Sequence, residues 1–134
     1  MSRVLVVDDE PGVRFAVREA LASAGHDVRE AKSGAEALAS LDGVDAVVTD
    51  LVMPGLSGLE VVARAREIDP DLPVILLTAR GSERIAVEAI RTGAFDYLGK
   101  PFELEDLELA VARAVEACAL RRAARAHRRA EHLG

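Results

Sequence analysis

The stretch Ala46-Val47-Val48-Thr49-Asp50-Leu51-Val52-Met53-Pro54-Gly55 constrains the fold of this chain more than any other. An apolar run ends abruptly in a carboxylate, and a Pro-Gly turn follows. Runs of this length bounded by turn signals read as strands buried on both faces, the kind found in parallel sheets. Asp50 then sits at the carboxyl end of a central strand, where open α/β sheets hold their ligands. Asp also commonly opens turns after strands, so position alone does not separate a functional carboxylate from a turn residue.

The same pattern recurs along the chain. Val4-Leu5-Val6-Val7 reads as a buried strand ending in Asp8-Asp9-Glu10. Pro11 suits the first turn of a helix, along which Val13, Ala16, Val17, Ala20, Leu21 and Ala24 recur at helical spacing, with Gly25 as its C-cap. His26 to Ala31 is a more polar strand, as expected near a sheet edge. Ser33 and Glu36 have capping-box spacing and open a helix to about Leu41. After the central strand, a helix starts at Ser57 or Gly58, turns Leu59, Val62, Ala63 and Ala65 inward, and ends before Pro70. Leu72 to Thr78 is a fourth strand, Ala79 to Ser82 a loop, and Glu83 to Thr92 a helix closed by Gly93. Phe95 to Leu98 is a short fifth strand, and a turn through Gly99-Lys100-Pro101-Phe102 leads to a long helix from near Glu103.

Five strand–helix units in succession predict an α/β fold: a doubly wound, five-stranded parallel sheet with right-handed crossovers and helices on both faces. Of the common arrangements, the flavodoxin-like order 2-1-3-4-5 suits five units. Strands one and three are then neighbours, and Asp8, Asp9 and Asp50 converge on one rim. A chain of 134 residues, half of them apolar and 30% charged, has room for one soluble domain. No apolar run is long enough to span a bilayer, and Met1-Ser2-Arg3-Val4 enters a strand directly, so a cytoplasmic location and no membrane partner are expected. Cys118 is the only cysteine, which excludes an internal disulfide and reads as a small apolar filler on a helix.

The net charge of −6 is unevenly distributed. Residues 1–118 read as an acidic domain, which argues against direct nucleic-acid binding through phosphate contacts. Residues 119–134 read as a basic, Ala/Arg-rich helical extension with five Arg against one acid, expected to present a solvated face. In it Ala119, Ala123, Ala126, Ala130 and Leu133 fall at heptad-like spacing. One continuous helix is expected from about Glu103 to about His127, with frayed residues beyond and a weak homodimer through this helix.

Two unit charges about 4 Å apart repel by roughly 4 kcal/mol at an effective dielectric near 20, so three clustered carboxylates must take up a proton or bind a cation. Carboxylate oxygens select hard cations, and Mg²⁺ uses one or two of them while leaving room for a phosphoryl oxygen. Thr78 and Lys100, at the ends of strands four and five, point to the same rim. A cation, an ammonium and a hydroxyl around one carboxylate are the parts for phosphoryl transfer, with Asp50 as nucleophile. Taken singly, Asp8-Asp9 reads as a turn or helix start, Thr78 as a strand-end hydroxyl and Lys100 as a solvated turn residue; the combination points to function.

At this point the residues resemble the receiver domain of bacterial two-component response regulators. The matching pieces are Val6-Val7-Asp8-Asp9-Glu10, Asp50 through Gly58, Leu77-Thr78-Ala79 and Tyr97-Leu98-Gly99-Lys100-Pro101-Phe102. The run Gly93 to Phe102 looks most like receivers of the nitrogen-regulation, enhancer-binding activator type. The resemblance implies that Asp50 accepts a phosphoryl group from a sensor histidine kinase or phosphotransfer protein. It implies Mg²⁺ held by Asp9, Asp50 and the backbone carbonyl of Val52, with Asp8 acting through water. Lys100 would pair with the phosphoryl group across a cis bond to Pro101, Thr78 would swing onto it, and Tyr97 would follow as an aromatic switch. The helix after Glu10 and the loop at Pro101-Phe102 correspond to the kinase-docking surface. Side chains two residues beyond the acceptor and the Thr, here Val52 and Arg80, govern hydrolysis in the family, and an apolar Val52 predicts a slow loss of phosphate. The output implied is transcription control, and residues 119–134 are either a linker to an output module or a C-terminal tail.

Other readings fit less well. A haloacid-dehalogenase phosphatase needs a second Asp two residues after the nucleophile, and position 52 is Val. A flavin binder wants a Ser/Thr/Gly-rich phosphate loop where Asp8-Asp9-Glu10 stands. A receiver-like scaffold working without phosphorylation is the remaining alternative; such forms typically lose an acid, the Thr or the Lys, and this chain keeps all of them.

Overall fold

The apolar runs form strands in the computed structural model, which describes residues 1–79 and 83–133. Strands β1 (Arg3–Val7), β2 (Asp27–Ala31), β3 (Ala46–Asp50), β4 (Val74–Thr78) and β5 (Asp96–Gly99) alternate with helices α1 (Pro11–Ser23), α2 (Gly34–Leu38), α3 (Gly58–Ile68), α4 (Glu83–Thr92) and α5 (Leu104–Leu133). The sheet is parallel in the order β2-β1-β3-β4-β5. Alternation along each strand divides the core into two layers. Val4, Val6, Ala46, Val48, Ile75 and Leu77 face α1 and α5, packing on Val17, Leu21, Leu107 and Val111. Leu5, Val7, Val47, Val74 and Leu76 face the other way, onto Val61, Val62 and Ala65 of α3 and Ala89 of α4. Each fully buried Val or Leu contributes about 1.5–3 kcal/mol, which holds β1, β3 and β4 as rigid neighbours.

Helix ends follow local chemistry, with four departures from the expected pattern. α1 stops in a Schellman turn, in which His26 N–H donates to Leu21 O (3.1 Å) and Gly25 N–H to Ala22 O (3.0 Å). Gly25, at φ +97°, therefore stands one residue past the cap, at Ala24, rather than being the cap. α2 ends at Leu38, short of Leu41, because Ser40 Oγ donates to the Glu36 carbonyl (2.8 Å) and Arg29 takes the Ser40 and Asp42 carbonyls. In α3, capped by a full Ser57/Glu60 box, Val61 is buried and Ala63 is exposed. The helical phase that buries Val62 and Ala65 selects Val61 as their neighbour and sends Ala63 outward. α5 runs on past His127 to Leu133.

The basic extension also departs from a purely solvated face, at three of its arginines: Arg121 lies over the Phe95 ring, 5.7 Å from its centroid, and the other two are ion-paired. Arg122 donates to Asp45 Oδ1 (2.7 Å), the Val44 carbonyl (2.8 Å) and Asp69 Oδ2 (3.1 Å). Arg125 forms a two-bond fork with Asp71 at 2.8 and 3.0 Å. These aspartates precede β3 and β4, at the end of the sheet away from Asp50. Cys118, one turn earlier, is fully buried, and burial pushes its thiol up, as befits an inert filler. Ala119, Ala123, Ala126 and Ala130 are exposed, while the side chain of Leu133 lies outside the described residues. Among the described residues, no helix is long and apolar enough to cross a membrane.

The hydrogen bonds from Arg125 hold the Asp71 carboxyl below its ordinary value of 3.8. A carboxyl lowered by folding contributes stability above its unfolded pKa and loses it as pH falls through the folded one. Arg125→Ala should therefore lower the thermal midpoint by a few degrees at pH 7. That deficit should close as pH falls below about 4, read by thermal melts of both proteins across pH.

Candidate functional site

The carboxyl ends of four strands meet at one rim. The pairing of Val7 with Thr49 sets Asp8 beside Asp50, and that of Thr78 with Gly99 brings Lys100 next to β4. Oxygens of Asp8, Asp9 and Asp50 lie within 4.8 Å of one another. Lys100 Nζ stands 3.6 Å from Asp50 Oδ1, whose side chain is only 13% exposed. Lys100 is fixed from behind, its N–H donating to the Thr78 carbonyl at 2.6 Å, and its bond to Pro101 is cis.

Asp8 carries the electrostatic signature of the site. Its side chain is buried; Oδ1 accepts from Glu10 N–H at 2.9 Å, and Oδ2 has no partner. Burial pushes its carboxyl up, opposed by the Glu10 hydrogen bond and raised further by Asp50 and Asp9, with Lys100 pulling down. A buried carboxylate oxygen without a donor costs about 1–3 kcal/mol or more unless a proton or cation meets it. Three acids against one ammonium leave room for more positive charge, and an all-oxygen donor set suits a hard cation such as Mg²⁺. The residues present fit that ion.

The remaining candidates sit around this cluster in different ways. Thr78 is buried, and its hydroxyl donates to the Leu98 carbonyl at 3.4 Å. Tyr97 lies on β5, partly buried against the core layer that includes α3 and α4. Val52 is 69% exposed just beyond Asp50, and Arg80 lies outside the described residues.

Two further contributors hold the backbone of the site: Gly58, which closes the matched stretch that begins at Asp50, and Arg14, which lies outside every motif. A Cβ at Gly58 would lie 2.6 Å from the Asp50 carbonyl oxygen, so only glycine lets α3 start against the end of β3. Arg14 Nη1 donates to the Asp8 carbonyl at 2.7 Å. Its signal is faint: a basic residue near the start of a helix, where the helix field favours acids.

The response regulator receiver domain profile matches residues 4–112. The response regulator MprA of Mycolicibacterium vanbaalenii is 48% identical over 107 residues, 78% of this chain and 46% of that protein. The transcriptional regulatory protein TrcR of Mycobacterium tuberculosis is 46% identical over 107 residues, 78% of this chain and 42% of that protein. The chain thus spans less than half the length of these curated relatives. Among solved structures, the receiver domain of NtrX from Brucella abortus superposes with a TM-score of 0.81 at 37% identity, covering 84% of this chain and 98% of that one. A receiver domain protein from Clostridium thermocellum gives 0.85 at 34% identity, covering 90% and 98%. With the strand order, the acidic rim and these matches in agreement, the chain belongs to the response regulator receiver domain family of two-component systems.

Proposed function

We propose that Asp50 is the phosphoacceptor of this receiver, taking a phosphoryl group from a sensor histidine kinase or phosphotransfer protein. The observation that carries the reading is Asp50 at the end of β3, with Lys100 Nζ 3.6 Å away and the orphaned Asp8 Oδ2 in the same cluster. An Asp50 oxygen attacks phosphorus, the phosphorus–nitrogen bond of the donor histidine breaks, and the imidazole leaves with a proton. Lys100 neutralises the phosphoryl oxygens as they arrive. Asp9, Asp50 and the Val52 carbonyl would hold Mg²⁺, with Asp8 acting through water; when bound, the ion offsets the charge of the acids and of the phosphoryl group. The chain acts as a signalling domain whose only chemistry is its own phosphorylation and dephosphorylation. An exposed, apolar Val52 offers no group to orient an attacking water, so the phosphate should be lost slowly. The downstream output, transcription control by analogy with the relatives, would be reached through residues 119–134 as an extension of the receiver body, 1–118. The rival reading, a scaffold that ignores phosphorylation, predicts no labelling. Incubation with acetyl phosphate and Mg²⁺ should add one phosphate by intact mass. Asp50→Asn should add none, and excess chelator should abolish the gain in the parent chain.

The switch follows from Thr78. A ligand shifts a two-state equilibrium only through contacts that differ between the states. Here the differing contact is the Thr78 hydroxyl, which gives up the Leu98 carbonyl for a phosphoryl oxygen and frees Tyr97 to move inward. Thr78→Ala should still take phosphate, yet its NMR shifts over β4, α4 and β5 on phosphorylation should be much smaller than the parent's.

A weak homodimer through α5 is the second part of the reading. Ala119, Ala123, Ala126 and Ala130 form an exposed small-residue row, with Leu109 and Leu120 exposed on the same helix. Arg122 and Arg125 are paired within the chain, which removes two of five arginines from the repulsion between two such helices. Alanines bury little area, so the association is weak. Sedimentation equilibrium should detect a dimer at high concentration in the parent chain and none in Ala123→Glu.

A further inference from the structure

The carbonyl of Asp8 has an unusual donor. The β1–β2 ladder ends at Val7–Ala31, and after Asp8 N–H reaches the Ala31 carbonyl at 3.2 Å the edge chain leaves the sheet to begin α2. Among the described residues, no backbone amide donates to the Asp8 carbonyl. Arg14 supplies the bond, with Nη1 at 2.7 Å, while its Nε donates to Glu30 Oε1 at 3.1 Å. The Arg14 side chain is only 12% exposed, so this guanidinium is built into the fold between β1, β2 and α1.

The Asp8 carbonyl belongs to the planar peptide that joins Asp8 to Asp9. Fixing that oxygen fixes the plane, and with it the direction in which Asp9 leaves the strand. The next amide, Glu10 N–H, donates to Asp8 Oδ1 at 2.9 Å, so a tilt of the plane would disturb both rim carboxylates of β1. A guanidinium suits this task because its donors form a rigid, permanently charged fork. Its bonds go to the Asp8 carbonyl and to Glu30, so Arg14 leaves the carboxylates of Asp9 and Asp50 to a cation.

We infer that Arg14 is a positioning residue for the cation site, holding the Asp8–Asp9 peptide so that both carboxylates face Asp50. The inference rests on the reading of the rim as a Mg²⁺ site. Calorimetric Mg²⁺ titration of the full chain tests it with Arg14→Met, Arg14→Lys and Arg18→Ala. Arg18 is the control, since it also pairs with Glu30, at 3.5 Å, and its own bonds go to Glu19 and Glu30 rather than to Asp8. Arg14→Met should weaken Mg²⁺ binding about tenfold or more, the usual effect of removing a group that orients a ligand. Arg14→Lys, which keeps one N–H for the carbonyl but cannot span both partners, should fall between Arg14→Met and the parent. Arg18→Ala should bind as the parent does. In metal-free protein, hydrogen exchange at the Glu10 amide should quicken in Arg14→Met alone. If Arg14→Met does not fold, Arg14→Gln, too short to bridge both partners, takes its place with the same expectation. Parent-like affinity and Glu10 exchange in that variant would overturn the role of Arg14, as would an equal loss in Arg18→Ala. A parent chain that binds no Mg²⁺ would remove the reading of the rim itself.

Discussion

Repulsion among Asp8, Asp9 and Asp50 is the constraint around which the rest of the structure is arranged. Oxygens within 4.8 Å of one another oppose each other by roughly 4 kcal/mol per charged pair at a separation near 4 Å. Nothing in the three residues favours that approach. It is imposed by β1 and β3, neighbours in register and buried on both faces, whose apolar side chains gain far more by burial than the acids lose. The sheet therefore holds charge in place that a flexible loop would disperse. Lys100 relieves part of the repulsion, and the orphaned oxygen of Asp8 marks the part that remains.

The opposite end of the same sheet offers a contrast. Asp45, Asp69 and Asp71 are also close in space, yet each carboxylate there meets donors from Arg122, Arg125 or a backbone N–H. That cluster is satisfied within the chain and works as a fastening for α5. The rim at the carboxyl ends is left short of positive charge. Two acidic clusters of similar composition thus differ in kind, and the difference is whether a buried oxygen lacks a partner.

The fastening also bears on how α5 relates to the body. Leu107, Ala110, Val111, Ala114 and Cys118 hold its first half by burial, and Arg122 and Arg125 extend that hold for two further turns. Beyond them the helix has no such ties among the described residues. Asp45 and Asp71 precede β3 and β4, the strands that end in Asp50 and Thr78, so the extension is tied to both strands that carry the centre of the site.

Much of this was determined by the sequence alone. Apolar runs closing on Asp8, Asp50 and Thr78, separated by helical periods, define a parallel α/β sheet, and its order brings three acids to one rim. Such patterns are local, repeated and enforced by burial, which is why they can be read without coordinates. Only the tertiary structure decided what depends on contacts between distant segments. Arg14 reaches the Asp8 carbonyl because α1 folds back over the end of β1, and Gly58 is required because α3 starts against the Asp50 backbone. Arg122 and Arg125 look like members of a solvated basic run until the chain has brought Asp45, Asp69 and Asp71 beneath them. Hydrophobic period is written along the chain, whereas the partner of a charge is fixed only when the chain has closed on itself.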